Sequence, residues 1–293
     1  MPDYSQLPAL LPDVPVCILP ETASTNADAR ALLLRGGAHG SLVVAARQTG
    51  GRGRMGRAFC SEEGGLYMSL LLRGAWPAGQ LTTLCAVAVC RAVERLTQLH
   101  LDIKWVNDAQ LDGKKVCGIL CEGAWSGAQP LGMVAGIGIN LSQPSFPPEL
   151  AYIVRSLYPK GDAPCTHAQL CAAVYREIMD NLSAMPAHMP EYRARCVTLH
   201  RPIKWQQEGV CHSGYALDVD DDGGLRTQSD ERAVVLTAMI VGTLHKCALR
   251  KDVAHLQIRA HRRMQVTEHG AADCFIIILF HSAILLLYER SCA

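Results

Sequence analysis

The stretch RQTGGRGRMGRAF, residues 47–59, sets four arginines among four glycines. Apolar segments at 41–47 and 64–73 read as strands on either side, so the stretch is predicted to be a loop between strands and not a repeated, disordered Arg-Gly tail. Glycine lets backbone N–H groups approach an anion, and arginine donates paired hydrogen bonds to phosphate or carboxylate. The stretch favours a cradle for a small phosphorylated ligand; a solvated surface loop and a nucleic-acid contact are the alternatives.

The positive charge of this loop is local, because the chain as a whole is nearly neutral. Lys and Arg number 28 and Asp and Glu number 27, for a net charge of +1 at pH 7. No global field therefore draws the chain to nucleic acid or to an anionic membrane. The 293 residues, 49% of them hydrophobic, suffice for one large domain or for a large and a small one.

The cysteines predict no metal centre. The chain has 13 cysteines but no CxxC pair, and Cys117 and Cys121 form a lone CxxxC without a second pair at zinc-site spacing. We therefore expect reduced thiols in a cytoplasmic protein. The N-terminal segment has neither a basic region nor a long apolar run, so no signal peptide is predicted.

The pattern of the chain changes near residue 198. Before it, helices are predicted at 24–36, 80–99, 166–185 and 191–197, and strands at 41–47, 64–73, 101–123 and 130–141. Ser24 is expected to cap the first helix, Gly36–Gly37 to end it, and Asp112–Gly113 to turn a hairpin. From Pro202 onward short strands and turns are typical of a small β-barrel.

These patterns predict an α+β fold in three parts. We expect a large domain over 1–198, a small C-terminal domain over 199–249 and an atypical tail over 250–293. The apolar run of that tail, Cys274–Tyr288 with His281 and Ser282 within it, is shorter than the roughly 20 residues that span a bilayer. No membrane partner is therefore expected.

Two more clusters carry polar chemistry. In KWVND (104–108) and the following DGKK, a lysine and an amide at a strand end suit phosphate oxygens or a ribose, and a lysine after the hairpin reaches back as a point charge. Surface charges flanking a hairpin are the alternative. In GIGIN (136–140), glycines within a strand indicate either a ligand lying close to the backbone or tight packing.

Five motifs stand in order along the chain: STN (24–26), RQTGGRGRMGR (47–57), KWVND (104–108), GKKVCGIL (113–120) and GIGIN (136–140). Over about residues 20–142 they resemble the biotin protein ligase family. The resemblance implies a catalytic domain related in fold to class II aminoacyl-tRNA synthetases, with a mixed sheet and flanking helices, followed by a small SH3-like β-barrel.

The resemblance also implies an activity. Members of that family use ATP and Mg²⁺ to convert biotin to biotinyl-5′-AMP with release of pyrophosphate. They then transfer the biotinyl group to one lysine of the biotin carrier domain of a carboxylase. It implies no nucleic-acid partner here, because only about twenty residues precede the first motif, and it leaves a homodimer open.

Roles for single residues follow from the resemblance alone. It implies biotin binding by Ser24, Thr25, Asn26, Gln48, Gly51, Arg52, Gly53, Arg54, Lys115, Gly118 and Gly136. It implies ATP binding by Arg54, Arg57, Phe59, Lys104, Asn107 and Asn140. Lys115 and Arg54 are the implied catalytic residues, offsetting charge as pyrophosphate leaves, and Tyr67 and Ser69 are further candidates for the pocket wall.

Some positions depart from the family pattern. Val106 stands where the family usually has proline, and the sequence AMIVGTLHK does not supply the Gly-Glu pair that the family tends to have ahead of its final strand. Two other functions stay open. One is a lipoate or octanoate ligase or transferase of the same fold, and the other is a protein that binds biotin or nucleotide with impaired catalysis.

Overall fold

The computed structural model of the chain describes residues 2–126, 128–207, 210–229 and 233–237, and the backbone of 241–243. The expected tail at 250–293 lies outside the described residues. The elements in chain order are α1 (Leu7–Leu10), β1 (Val16–Leu19), α2 (Thr25–Leu34), β2 (Leu42–Ala45), β3 (Leu66–Arg73), α3 (Ala78–Thr97), β4 (Asp102–Lys104), β5 (Asp108–Leu111), β6 (Lys114–Ser126), β7 (Gln129–Ile139), α4 (His167–Asn181), α5 (Met189–Arg195), β8 (Pro202–Gln207), β9 (Val210–Val219), β10 (Leu225–Gln228), β11 (Ala233–Leu236) and β12 (Val241–Thr243).

The centre of the fold is a mixed seven-stranded sheet in the order β1-β2-β3-β7-β6-β5-β4. β1 and β2 are parallel, and every other neighbouring pair is antiparallel. With its flanking helices this sheet confirms the α+β class expected from the sequence.

The two faces of the sheet are covered unequally. Met68, Leu70 and Leu72 of β3 point to one face and are buried in the main core together with α3 and α4. On the opposite face α2 packs on the sheet, where Ala29 and Leu33, one helical turn apart, meet a second and smaller core. The motif residues of β6 and β7 lie on this same face, further along the strands than the Ala124 and Val134 that α2 covers.

The start and end of α2 differ in how they follow the sequence. Gly36 has φ of +90°, and the N–H groups of Gly36 and Gly37 bond back to the carbonyls of Leu33 and Leu32, so the predicted glycine stop is confirmed. The prediction that the Ser24 side chain caps the helix is wrong, because it makes no capping hydrogen bond. The backbone N–H of Thr25 donates instead to the side-chain oxygen of Gln48, at 2.9 Å.

The hairpin region holds one strand more than predicted. Asp112 and Gly113 both have positive φ, 52° and 75°, as a two-residue type I′ hairpin requires, so the predicted turn is confirmed. The segment before it, however, contains two strands, β4 and β5, joined by a turn at 105–107. β4 is three residues long, too short for a period-two pattern to reveal.

A second sheet follows α5 and is antiparallel throughout, in the order β11-β10-β9-β8-β12. It bears out the expectation of short strands after residue 202, while its closure as an SH3-like barrel and the boundary at 198 stay predictions. Ile203, Trp205 and Val219 of this sheet are buried in the same core as α3. Trp105, in the turn between β4 and β5, donates its indole N–H to the carbonyl of Gly223 at 2.9 Å.

None of the described helices combines the length and the apolarity needed to cross a lipid bilayer.

Candidate active site

The floor of the candidate site is a row of residues that crosses the sheet on the face shared with α2. Cross-strand pairing places Lys104 opposite Asp108, Asp108 opposite Gly118, Gly118 opposite Gly138, and Gly138 opposite Tyr67. Directly paired residues in a sheet project to the same face. The row therefore carries a lysine and a carboxylate at one end, a tyrosine at the other, and bare backbone between them.

The ring of Phe59 covers the bare part of this floor. A Cβ atom at Gly138 would lie 2.5 Å from a ring carbon of Phe59, and one at Gly118 would lie 2.9 Å from another. Only glycine at these two positions leaves room for the ring. Phe59 meets the ring of Tyr67 edge-on at 6.5 Å between centroids, so an aromatic wall stands over the floor.

Lys115 reaches over the floor from β6. Its Nζ lies 2.7 Å from Asp108 Oδ1 and 5.6 Å from the centroid of the Phe59 ring. The side chains of Lys115 and Asp108 are 27% and 25% exposed, so the pair is half-buried and less screened by solvent than a surface pair. Lys115 thus sets a localised positive charge at the edge of the glycine floor.

The arginine loop forms a small hairpin above the same region. Arg52 bridges to Ala58, Gly53 N–H donates to the Arg57 carbonyl at 2.7 Å, and a single 3-10 turn runs over Arg54–Gly56. Gly56, with φ of +74°, sits in the left-handed region that glycine adopts without strain. The hairpin backbone thereby directs Arg54 inward while Met55 at the tip stays exposed.

Arg54 meets the turn that precedes β5. Its Nη1 donates to Asn107 Oδ1 at 3.3 Å, and Asn107 in turn donates from Nδ2 to the carbonyl of Ile119 at 2.9 Å. Burial lowers the pKa of Arg54, with the nearby Asp108 acting in the opposite direction. Arg54 and Lys115 therefore approach adjacent residues, Asn107 and Asp108, from two different segments of the chain.

Arg52 is linked to the start of α2 by Glu122, an acidic residue that lies outside the five motifs. Its Nη2 lies 4.0 Å from Glu122 Oε2 on β6. The same carboxylate oxygen accepts a hydrogen bond from Asn26 Nδ2 at 2.7 Å. Glu122 thus joins the arginine loop to the Ser-Thr-Asn segment.

Arg47 lies outside this arrangement. The sequence places no acidic residue within the arginine stretch, but the fold brings Glu21 and Glu62 to Arg47 at 2.6 and 2.9 Å. Both contacts lie at the exposed surface, and the two acids raise the pKa of the guanidinium. Arg47 therefore anchors the base of the loop.

A hydrogen-bonded cluster fixes the start of α2 against the sheet. Gln48 Oε1 accepts from Thr25, and Gln48 Nε2 donates to Ser61 Oγ at 2.9 Å. Ser69 Oγ, fully buried on β3, lies 2.8 Å from Thr25 Oγ1 and 2.7 Å from Asn26 Oδ1. Hydroxyls and amides packed this closely form a polar pocket wall that offers both donors and acceptors.

Two glycines make this packing possible. A Cβ atom at Gly136 would overlap the side-chain oxygen of Asn26, and one at Gly51 would overlap Ser61 Oγ. Gly136 also pairs with Ser69, one step along the sheet from the Phe59 floor. Gly136 therefore leaves room for the Asn26 amide, as Gly138 leaves room for the Phe59 ring.

The far end of the floor carries a second buried polar network. Gln143 Nε2 donates to Tyr67 Oη at 2.9 Å and to Asn140 Oδ1 at 3.3 Å. Tyr67 Oη donates to the Glu62 carbonyl at 2.6 Å, and Ser156 Oγ donates to the Gln143 carbonyl at 2.7 Å. Burial raises the pKa of Tyr67 well above its usual value, so the hydroxyl stays protonated.

The fold thus gathers most of the implied site residues on one face. Lys104 lies on the edge strand β4 opposite Asp108, and Arg57 closes the arginine hairpin. Glu122, Gln143 and Ser61 belong to the same face but to no motif. Glu122 follows the GKKVCGIL motif by two residues on β6, so strand periodicity from Gly118 was the signal available for finding it.

The arrangement suits an anionic ligand that also has a flat apolar part. Lys115, Arg54 and Arg52 supply positive charge, Phe59 and Tyr67 supply aromatic surface, and the glycines allow close approach to backbone. Among the described residues no group of three or more His, Cys, Asp or Glu side chains is placed to hold a metal ion. What the described side chains offer a ligand is positive charge, aromatic surface and hydrogen-bonding groups.

Comparison with known proteins identifies relatives of this arrangement. A family profile described as the Biotin/lipoate A/B protein ligase family matches residues 19–140. The biotin–[acetyl-CoA-carboxylase] ligase of Mycobacterium tuberculosis is 31% identical over 237 residues, which are 75% of this chain and 86% of that protein. The biotin protein ligase of Aquifex aeolicus, solved in complex with biotin and ATP, superposes with a TM-score of 0.67 at 26% identity, covering 78% of this chain and 99% of that one.

Higher identity over a shorter segment relates the chain to a larger protein. The bifunctional ligase/repressor BirA of Bacillus spizizenii is 45% identical over 141 residues, 46% of this chain. The matched segment is 43% of that protein, so this chain spans less than half the length of that relative.

Proposed function

Because the chain belongs to the biotin protein ligase family, we propose that it activates biotin with ATP and transfers the biotinyl group to a lysine of a carboxylase's biotin carrier domain. In the first step a carboxylate oxygen of biotin attacks the α-phosphorus of ATP. The bond to the β-phosphate oxygen breaks, and pyrophosphate leaves with the electron pair. The product is biotinyl-5′-AMP.

The single observation that carries this proposal is the convergence of Lys115 and Arg54 on the Asn107–Asp108 turn, beside a glycine floor. Attack of one anion on another is opposed by charge repulsion, and negative charge grows on the phosphate oxygens as pyrophosphate departs. Two cations held on adjacent residues would offset that charge without reorganising. Holding both substrates on one rigid sheet face makes the step effectively unimolecular.

The polar cluster at the start of α2 suits the ureido ring of biotin. Thr25, Asn26, Ser69 and Gln48 form a cluster of donors and acceptors that packs against the backbone of Gly136. The complex of the Aquifex aeolicus relative with biotin and ATP supports a fold that takes both ligands. Mg²⁺ is proposed to arrive with the ATP phosphates and to lend them further charge neutralisation.

In the second step the amine of the carrier lysine attacks the acyl carbon of the mixed anhydride, and AMP leaves. The amine must be neutral to attack, and it loses a proton as the amide forms. We propose Asp108, which holds Lys115, as the carboxylate that takes that proton. The arginine hairpin would meanwhile shield the anhydride from water. The carrier domain of a carboxylase is the proposed partner, in keeping with the names of the relatives, which are biotin–[acetyl-CoA-carboxylase] ligases.

The test is ATP–pyrophosphate exchange by the purified chain with Mg²⁺, comparing biotin, lipoate and octanoate. We expect exchange that requires biotin and falls at least about a hundredfold in Lys115→Ala, a loss on the scale of one removed charge-stabilising donor. Lys114→Ala is the matched control, because Lys114 Nζ donates to the Ala151 carbonyl at the surface, away from the floor.

Each alternative function has its own outcome. Exchange that follows lipoate or octanoate would assign the chain to acyl ligases of the same fold. Biotin binding in a calorimeter without exchange would identify a binding protein that lacks the chemistry. The transfer step is measured in a separate assay, as the amount of biotin attached to the lysine of a carrier domain.

A further inference from the structure

A directed chain of hydrogen bonds runs from a backbone carbonyl to the candidate nucleotide residue Asn140. Tyr67 Oη donates to the Glu62 carbonyl at 2.6 Å, Gln143 Nε2 donates to Tyr67 Oη at 2.9 Å, and Gln143 Nε2 also donates to Asn140 Oδ1 at 3.3 Å. Tyr67, Gln143 and Asn140 are at most 3% exposed. Water therefore does not compete for these bonds, and each donor and acceptor must be matched within the protein.

The direction of every bond in this chain is fixed by its first acceptor. A carbonyl oxygen has no proton to give, so the Tyr67 hydroxyl proton is committed to Glu62. The Tyr67 oxygen can then only accept, which requires the amide nitrogen of Gln143 and not its oxygen to face it. That same nitrogen faces Asn140, so the Asn140 atom in contact with it must be the oxygen.

The orientation of the Asn140 amide is thereby decided without reference to any ligand. With Oδ1 held by Gln143, the nitrogen Nδ2 is the free end of the amide, and no described residue accepts a hydrogen bond from it. Asn140 lies two residues beyond Gly138, whose backbone forms the floor under Phe59. The group presented beside the floor is an N–H donor.

We infer that Gln143 is a positioning residue for nucleotide binding: it holds Asn140 so that Nδ2 is left to donate to an unprotonated ring nitrogen of adenine. This inference rests on the proposed function for the identity of the nucleotide. A base whose corresponding ring atom is C–H, or N–H, offers that donor no acceptor and leaves it unpaired. Such a mismatch costs more than the hydrogen bond itself contributes.

Ser156 fixes the other side of Gln143 and provides a matched control. Its hydroxyl donates to the Gln143 backbone carbonyl at 2.7 Å and lies 3.3 Å from Gln143 Oε1. Neither contact takes part in the chain from Glu62 to Asn140. Ser156→Ala removes a buried hydroxyl bonded to the same residue and keeps the direction of the Asn140 amide.

The experiment is calorimetric binding of ATP and of its 1-deaza, 3-deaza and 7-deaza analogues to the unaltered protein. We expect one analogue to bind about tenfold more weakly than ATP, and that difference to disappear in Asn140→Ala. Equal binding of ATP and all three analogues would overturn the inference. ATP binding is measured here without biotin, so a failure of biotin-dependent exchange, which tests the proposed function, is distinguished from a failure of this inference.

Substitution of Gln143 distinguishes a role in positioning Asn140 from a contribution to the stability of the fold. Gln143→Met keeps the length of the side chain and removes both amide groups, so ATP binding should weaken about tenfold while Ser156→Ala stays within about twofold. In the double variant Asn140→Ala with Gln143→Met, the second change should add less than about twofold, since Gln143 acts through Asn140. Additive losses, or an equal loss in Ser156→Ala, would show that Gln143 only supports the fold.

Discussion

Lys115 Nζ and Asp108 Oδ1 are 2.7 Å apart at the edge of a floor that has no side chains of its own. The pair joins two strands, β5 and β6, close to the turn at Asn107 where Arg54 arrives. A lysine has a flexible four-carbon stem, so a bare lysine would sample many positions. Asp108 limits it to one, directly above Phe59 and Gly118.

Removing the charge of Asp108 should therefore slow the first step more than it weakens binding. In Asp108→Asn we expect kcat for ATP–pyrophosphate exchange to fall about tenfold, or roughly 1.4 kcal/mol, because Lys115 loses its fixed position. KM for biotin should change less than about threefold, since the cation itself remains. Asp112→Asn, at the exposed hairpin tip beside Arg155, is the control. A wild-type kcat in Asp108→Asn would contradict the assignment of Asp108 as the group that positions Lys115.

Glu122 should matter for biotin and not for ATP. It accepts from the Asn26 amide at 2.7 Å, and Asn26 lies in the pocket proposed for the ureido ring. Glu122→Gln replaces a charged acceptor by a neutral one, and a hydrogen bond to a charged group is worth roughly 1 kcal/mol more than one to a neutral group. We expect KM for biotin to rise about fivefold in exchange assays while KM for ATP is unchanged. Equal rises in both constants would place Glu122 in general support of the sheet.

Gly136 should resist even the smallest side chain. A Cβ atom there would overlap Asn26 Oδ1, so Gly136→Ala must displace the Asn26 amide from Ser69 and Glu122. We expect biotin affinity to fall at least about tenfold by calorimetry, because a clash of this kind in a packed site typically costs 1–3 kcal/mol. Gly161→Ala is the comparison: its φ of +76° strains alanine, but nothing lies within 4 Å. That variant should lose some stability and keep its biotin affinity.

His188 should give stability a dependence on pH. Its ring is 4% exposed, Nε2 lies 2.8 Å from Thr83 Oγ1, and burial, followed by the charge of Arg91, lowers the pKa to about 4 from 6.5. Asp221 and Glu191 act more weakly in the opposite direction. Between these two pKa values the unfolded chain binds a proton that the folded chain refuses, so stability is full above pH 6.5 and falls as the pH drops toward 4, by about 3 kcal/mol at most.

Denaturant unfolding at pH 7, 6 and 5 checks this. We expect His188→Gln, which keeps a polar group near Thr83, to lose less stability over that range than the unaltered protein. Other groups, including the half-buried His167, titrate in both proteins and cancel in the comparison. Parallel curves for the two proteins would show that His188 is not the group responsible.

The sequence predicted the parts of the site that belong to motifs. It did not predict the residues whose role depends on a contact with a distant segment of the chain. Glycines and arginines at fixed spacing marked the loop, and the Asp112–Gly113 turn located the hairpin that carries Lys115. Glu122 and Gln143 were not predicted, because each acquires its role from a partner in another segment: Asn26 for Glu122, and Tyr67 with Asn140 for Gln143. For the same reason the acids that neutralise Arg47 were not predicted, since Glu21 and Glu62 reach it only through the fold.

The capping of α2 shows the same limit at the level of secondary structure. Ser24 has the residue type and the place of an N-cap, yet Gln48 accepts the hydrogen bond from the first turn. A side chain from the loop after β2 therefore accepts the hydrogen bond that a residue at the start of the helix usually accepts. Sequence patterns that look only a few residues ahead do not register such a replacement.

The hydrogen bond from the Trp105 indole to the Gly223 carbonyl couples the second sheet to the candidate site. Trp105 stands two residues before Asn107, and the sheet that holds its indole shares one apolar core with α3. The two sheets should consequently melt in a single cooperative transition. A substitution that weakens the second sheet should loosen the turn at 105–107, which carries Asn107, while the chain is still folded. Such a lesion should therefore appear first as a loss of the proposed activity.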